Sequence, residues 1–342
     1  MVLSPRLSRT GEWFLHSGVQ QPNGGVARYY RVGDGFLPVS TEITGYAASF
    51  FVYLHSVSED QRYLEAAVRA AEFLVRSWDP KLQAMPFEVD PPEYTYFFDC
   101  GIIVRGLLAV WQATKREEFL AVAVAVGNAM ARDFASETGD FHPILALPAK
   151  TPIERDAARW SKSAGCYQLK SAMAWWDLFE STGENCFREP YKRVLEYSVE
   201  NYETFLFSGA VMDRLHAFSY FLEGLLPWAN RERYAKALSG GIVYADVMLR
   251  KNASEFARSD VYAQLLRARL FADWAGAVTV DRSKAAEEAE ALATFQREDG
   301  GWWFGRKNGE FMPFINPVSA AFGAQALDLW ERREQINRHL LV

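Results

Sequence analysis

The sequence predicts an all-α fold, an (α/α)6 toroid in which six helical hairpins form an inner and an outer ring. Three observations predict it. Helices of two kinds alternate along the 342 residues, one apolar or small on nearly every face and one with a single charged face. An all-round apolar helix is buried, and a one-stripe helix lies outside it. No segment sustains the period-two alternation of a strand, so no sheet of consequence is expected. The two ends of the chain also match: WFLHSGVQQPNGG and ATFQREDGGWW both run from an aromatic stretch through Gln to paired glycines, as ends meeting in a closed ring would.

The inner helices are read at 43–54, 100–111, 165–176, 215–226, 260–274 and 317–330. The outer ones fall at 61–78, 116–134, 188–205, 231–249 and 283–298, with a sixth at about 4–20. This is a repeat of a few dozen residues, in which no hairpin can bury itself alone. No Pro/Gly/Ser-rich linker interrupts it, so residues 1–342 read as one domain. Connections from inner to outer helix are short, such as STGEN (181–185). Several in the other direction are long: 21–41, 79–97, 135–160 and 299–315. The long loops therefore gather on one face, with the N-termini of the inner helices, and loops of this kind carry binding chemistry.

Composition narrows the function. The net charge is −6 with both signs dispersed, and no basic tract marks a nucleic-acid partner. No apolar run reaches the ~18 residues of a membrane span. Three widely spaced cysteines (Cys100, Cys166 and Cys186) argue for a reducing compartment, so a cytoplasmic protein is expected. The oligomeric state is not legible.

Four groups of residues could carry chemistry. Glu42, Asp99, Asp260 and Asn316 stand at inner-helix starts, where capping and the helix dipole explain them equally well. As cavity acids beside helix N–H groups, Glu42 and Asp99 would keep low pKa values and act as bases. The stretch DRLHAFSYFLEGLLPW (213–228) sets His216, Tyr220 and Glu223 on one helical face. His216 with Tyr220 suits proton transfer at a sugar carbon. Glu223 lies deeper and reads first as an ion pair with Arg105 or Lys170, second as a substrate contact. QREDGGWW (296–303) offers Asp299, Trp302 and Trp303 near the cavity mouth. Cys100, Cys166 and His216 share one end of three inner helices and could hold zinc, but buried cysteines are ordinary core residues, so no metal and no cofactor is expected.

Gln296, Gly300 and Trp302 fit Q-x-x-x-G-x-W, which resembles the QW repeat of squalene–hopene cyclases, a helix-end brace; the D-x-D-D acid motif of those enzymes is absent. The zinc-binding D-x-C of protein prenyltransferases is absent too, since Asp99 and Cys100 are adjacent. The Cys-His dipeptide of lanthionine-synthetase-like toroids does not occur either. Over nearly the whole chain, with STEITGY (40–46) and HAFSYFLEGL (216–225) the more specific stretches, the sequence resembles the six-hairpin glycosidase-like superfamily. Within it, the chain is similar to the bacterial VpsJ-like or prenyltransferase-like group found with polysaccharide-biosynthesis genes. The resemblance implies a carbohydrate in the central cavity, as in the superfamily's unsaturated glucuronyl hydrolases and sugar epimerases.

The expected function is acid/base chemistry, hydrolysis or epimerisation, on an oligo- or polysaccharide, with uronates among the candidates. Glu42, Asp99, His216 and Tyr220 would be catalytic. Tyr29, Tyr30, Tyr46, Trp160, Trp302 and Trp303 would stack on sugar faces. Arg28, Lys162 or Arg105 would meet a substrate carboxylate. A non-catalytic glycan-binding or assembly protein would lack the acid/base pair. An isoprenoid enzyme would need a cavity without polar floor groups.

Overall fold

The computed structural model describes residues 3–137, 139–205, 211–333 and 337–342. Among them run twelve α-helices in the predicted order of alternation. The inner ring is α2 (Thr41–Ser58), α4 (Phe97–Thr114), α6 (Gln168–Thr182), α8 (Val211–Gly224), α10 (Ser259–Trp274) and α12 (Pro317–Arg332). The outer ring is α1 (Pro5–His16), α3 (Gln61–Ser77), α5 (Glu117–Asp133), α7 (Asn185–Phe205), α9 (Glu232–Asn252) and α11 (Arg282–Ala293). Each inner helix packs on the next, and α12 packs on both α2 and α1, so the ring closes.

Backbone proximity explains part of the inner sequence. A Cβ on Gly106 of α4 would lie 2.5 Å from the Gly45 carbonyl oxygen of α2, so only glycine lets these two helices approach so closely. α4 is long and apolar enough to cross a membrane by length and composition, which corrects the expectation that no segment is; here it is a core helix with most of its residues buried.

Local sequence sets the helix ends. Ser40 Oγ accepts from Ile43 N–H at the start of α2, and Asn316 Oδ1 accepts from Val318 and Ser319 N–H at the start of α12, where Pro317 takes the first turn. On the opposite face α2, α4, α6 and α12 stop at left-handed residues, Glu59, Lys115, Gly183 and Arg333. The connections that follow are short.

Between the helices lies what the sequence did not announce: among the described residues, eleven strands of two or three residues, all but one of them in the long loops. Tyr30–Arg31 pairs with Phe314–Ile315, Tyr94–Tyr96 with Ile144–Ala146, and Phe256–Arg258 with Gly305–Lys307, all antiparallel. These ladders form separate small sheets that tie loops from different hairpins together in pairs.

QREDGGWW is a brace. Gln296 Nε2 donates to the Arg6 carbonyl at 2.8 Å and to Thr10 Oγ1 at 3.0 Å, while Trp302 Nε1 donates to Thr10 Oγ1 at 2.9 Å. The earlier copy behaves alike: Gln20 Nε2 donates to the Ala66 carbonyl at 2.9 Å.

The segment 337–342 closes the far end of the ring. Lys170 Nζ and Arg267 Nη1 each lie 3.2 Å from the Val342 oxygen, and Leu341 and Val342 are buried.

Candidate active site

At the loop face the inner-helix starts converge on a cavity of about 290 Å³. Five elements supply its reactive groups: Glu42 from α2, Asp99 from α4, His216 and Tyr220 from α8, Arg258 and Asp260 from the start of α10, and Asn316 from the α12 cap. Trp160, on the loop leading to α6, covers them, with its ring centroid 5.8 Å from that of His216.

Two opposite protonation states are enforced here. Burial lowers the His216 pKa to about 4, and the Arg258 charge adds to the effect. His216 Nδ1 lies 2.9 Å from Gln264 Oε1 and 3.4 Å from Asp260 Oδ2, both acceptors, so Nδ1 carries the proton. Nε2 then keeps its lone pair, and His216 is a neutral base. Asp260 is itself held: burial pushes its carboxyl up, and Arg258 more than offsets that through contacts of 3.0 and 2.6 Å, leaving the pKa below the usual range. Arg258 is further anchored to Asp213 at 2.7 Å.

The other pair behaves oppositely. Burial pushes Glu42 up to about 7, and burial together with the Glu42 charge holds Asp99 well above the carboxylate range. This corrects the expectation that the helix N-termini would keep both acids ionised. Desolvation, with the Glu42 charge added at Asp99, outweighs the dipole, whose contribution is at most about 2 kcal/mol even in a partly buried setting. Glu42 and Asp99 are therefore proton donors near neutrality. Tyr220 is a further donor: the Tyr46 hydroxyl donates to the Tyr220 oxygen at 3.1 Å, leaving the Tyr220 proton for a ligand.

Of the residues singled out in the sequence, Glu42, Asp99, Trp160, His216, Tyr220, Asp260 and Asn316 line this cavity. Others do not. Tyr46 stands behind Tyr220. Trp302 is fully buried against Gly323, where a Cβ would lie 2.4 Å from its ring, so it is a brace and not a stacking platform. Trp303 stacks on Phe311, Tyr29 packs on Phe314, and Tyr30 packs on Phe36, all within the loops. Asp299 is exposed, pairs with Arg297 at 3.0 Å and accepts from Gly301 N–H.

The expected carboxylate partners are elsewhere. Arg28 binds Glu88 at 3.0 Å, Arg105 binds Asp177 at 3.0 Å toward the far end, and Lys162 lies outside the lining. Glu223 is a structural ion pair, 2.8 Å from Lys170 and 2.5 Å from Arg267, fully buried; Arg105 is not its partner. Arg267 in turn lies 4.0 Å over the Phe322 ring, which packs on Tyr46 and Tyr220. An aromatic layer thus separates the cavity from this ionic layer.

Cys100, Cys166 and His216 do not come together. Cys100 meets Thr95, and burial pushes its thiol up to about 12. Among the described residues one trio could hold a metal, Asp177, Glu180 and His339, but the Arg338 guanidinium already binds both carboxylates.

Sequence reasoning missed Arg258 and Gln264. Both signals were present: Arg258 stands two residues before Asp260, and Gln264 one helical turn after it.

No protein-family model matches the sequence, and no curated protein matches it. Solved structures do. A sugar epimerase from a ruminal bacterium is 13% identical over 96% of this chain and 100% of its own, with a TM-score of 0.73. Cellobiose 2-epimerase from Spirochaeta thermophila is 15% identical over 97% of this chain and 100% of its own, TM-score 0.69. Unsaturated glucuronyl hydrolase from Bacillus sp. GL1 is 13% identical over 96% and 95%, TM-score 0.67. The likeness is one of fold, and it defines the class: the chain is an (α/α)6 toroid, as these structures are.

Proposed function

We propose that the chain is a carbohydrate-active enzyme that interconverts sugar epimers or isomers by moving a proton at the carbon beside a carbonyl. The observation that carries this reading is the pairing, in one cavity, of a base kept neutral (His216) with acids kept protonated (Glu42 and Asp99). Reversible proton transfer needs both forms at one pH. His216 Nε2 takes the carbon-bound proton while Glu42 or Asp99 protonates the carbonyl oxygen, giving an enediol. Returning the proton to the opposite face of that carbon, after the enediol turns, yields the epimer, and returning it to the neighbouring carbon yields the isomer; in each case an enediol O–H gives its proton back to the carboxylate as the carbonyl reforms. Tyr220 and Asn316 orient hydroxyls, and Trp160 packs on the ring.

The sugar assignment draws on this chemistry and on the fold shared with the sugar epimerase and cellobiose 2-epimerase. The VpsJ-like placement belongs to the same proposal and rests on STEITGY and HAFSYFLEGL. The cavity is at the small end for ligand sites, which fits a terminal sugar unit better than the middle of a polymer. Its acids and imidazole count against an isoprenoid.

The carboxyl pair also favours a second reading, inverting hydrolysis. There the acid protonates a glycosidic oxygen as His216 takes a proton from the attacking water. Asp260 is a poor covalent nucleophile, because Arg258 engages both its oxygens.

Incubation with mono- and disaccharides in D2O tests the choice. Deuterium beside the carbonyl, with a new epimer or isomer, supports the first reading. Released monosaccharide without carbon-bound deuterium supports the second. Neither product from any sugar sinks both.

A further inference from the structure

Among the described residues the buried acids are matched with cations, except Asp99, which lines the cavity with the half-buried Glu42. Asp140 has Arg155, Asp177 has Arg105 and Arg338, Glu223 has Lys170 and Arg267, Asp246 and Glu288 share Arg269, Asp260 has Arg258, and Asp328 has Arg332. Asp99 is 6% exposed, and among the described residues no cation lies within ion-pair distance of it or of Glu42. Its Oδ2 is buried without a hydrogen-bond partner, and its side chain lines the cavity. The nearest cation of the lining, Arg258, is already shared between Asp260 and Asp213.

A fold that neutralises its other buried acids internally leaves two uncompensated where a ligand enters. We propose that the Glu42–Asp99 pair receives the ammonium group of an amino sugar, which the site takes in preference to neutral or carboxylate sugars. An ammonium brings three donors and one positive charge, and its charge draws one of the pair's two protons off, leaving a carboxylate against it. The remaining carboxylic proton stays available as the acid. A uronate would instead place its carboxylate among three acids with no uncommitted cation in the described lining, so the uronate expectation gives way to its opposite. This inference rests on the carbohydrate reading and names the substrate class of the same cavity.

Calorimetric titration at pH 7 compares glucosamine, galactosamine and mannosamine with the parent hexoses, the N-acetyl derivatives and glucuronate. At least one amine binds about tenfold tighter than its hexose, and N-acetylation, which removes the charge, cancels the gain. In the Glu42→Gln/Asp99→Asn variant, shown to be folded by circular dichroism, the ratio of amine to hexose affinity falls to about one. Should the double variant not fold, Glu42→Gln alone must narrow the gap. Equal binding of amine and hexose by the native chain, or tightest binding of glucuronate, overturns the inference and leaves the carbohydrate reading standing. No binding of any sugar overturns both.

Discussion

Arg258 clasps Asp260 through two contacts, Nε to Oδ1 at 3.0 Å and Nη2 to Oδ2 at 2.6 Å. The clasp makes Asp260 a weak partner for His216, because the carboxylate charge is already answered. It also places a positive charge near the imidazole. Arg258→Gln removes the cation and releases the carboxylate, and both changes favour the imidazolium. The acid limb of the pH–rate profile then moves up from about 4, and the His216 titration followed by NMR moves with it. An unmoved titration would detach Arg258 from the base.

On a neutral sugar, activity of the native chain requires His216 neutral and both carboxyls of the pair protonated. The profile is therefore a bell with limbs near about 4 and about 7, the upper limb belonging to the pair as a unit. His216→Asn lowers turnover by roughly 10²–10⁴. Thermal unfolding at pH 7 stays close to native, since the base is neutral there and carries no structural ion pair.

Glu42 has a stability signature of known sign. Its folded pKa, about 7, exceeds the ordinary 4.5, so the folded state binds the proton more tightly than the unfolded state does. Stability then falls as pH rises from about 4.5 to about 7. Glu42→Gln removes that slope. The variant melts above native at pH 8 and close to it at pH 4, while losing activity between the two limbs of the bell. A Tm difference independent of pH would contradict the raised pKa.

The ionic layer answers differently. Glu223→Gln leaves Lys170 and Arg267 buried without their anion, so denaturant unfolding shows a loss of about 3–5 kcal/mol. Burial lowers the Lys170 pKa to about 7 even with Glu223 opposing it, so Lys170 deprotonates first in the variant, at the lower end of that loss. Replacing all three by apolar residues of similar volume recovers most of the stability. Residual sugar binding changes little, because Tyr46, Tyr220 and Phe322 intervene.

Trp302→Ala empties a fully buried indole site and removes the donor to Thr10, at a cost of about 3–5 kcal/mol. Sugar affinity is unchanged in the surviving folded fraction. A selective loss of sugar binding at full stability would return Trp302 to the cavity wall.

The two rings were legible because burial on all sides and burial on one side leave different patterns in a helix, and the alternation needs no knowledge of neighbours. Glu42, Asp99, His216 and Asp260 were legible as groups at converging inner-helix starts. Their charge states were not: the neutral form of Asp99 depends on Glu42, 57 positions away, and on walls supplied by other helices. Trp302 misled for a similar reason. An aromatic in a loop resembles a platform until Gly323, on the next helix, proves to be the gap it fills. The loop ladders left no periodic trace, since two or three residues are too few to show one.

The packing of α1 on α12 has a consequence for how the protein is made. The ribosome releases α1 early, yet its neighbour is some 300 residues behind it, a wait of about 15–60 s at ordinary elongation speed. During that interval Phe14 finds Phe50 and Phe51 of α2, but α1 still offers Trp13, which the finished fold buries against Gly300 and Gly301, to solvent. The nascent chain must shelter this indole until the last hairpin arrives, so chaperone demand during translation should fall on the opening helix.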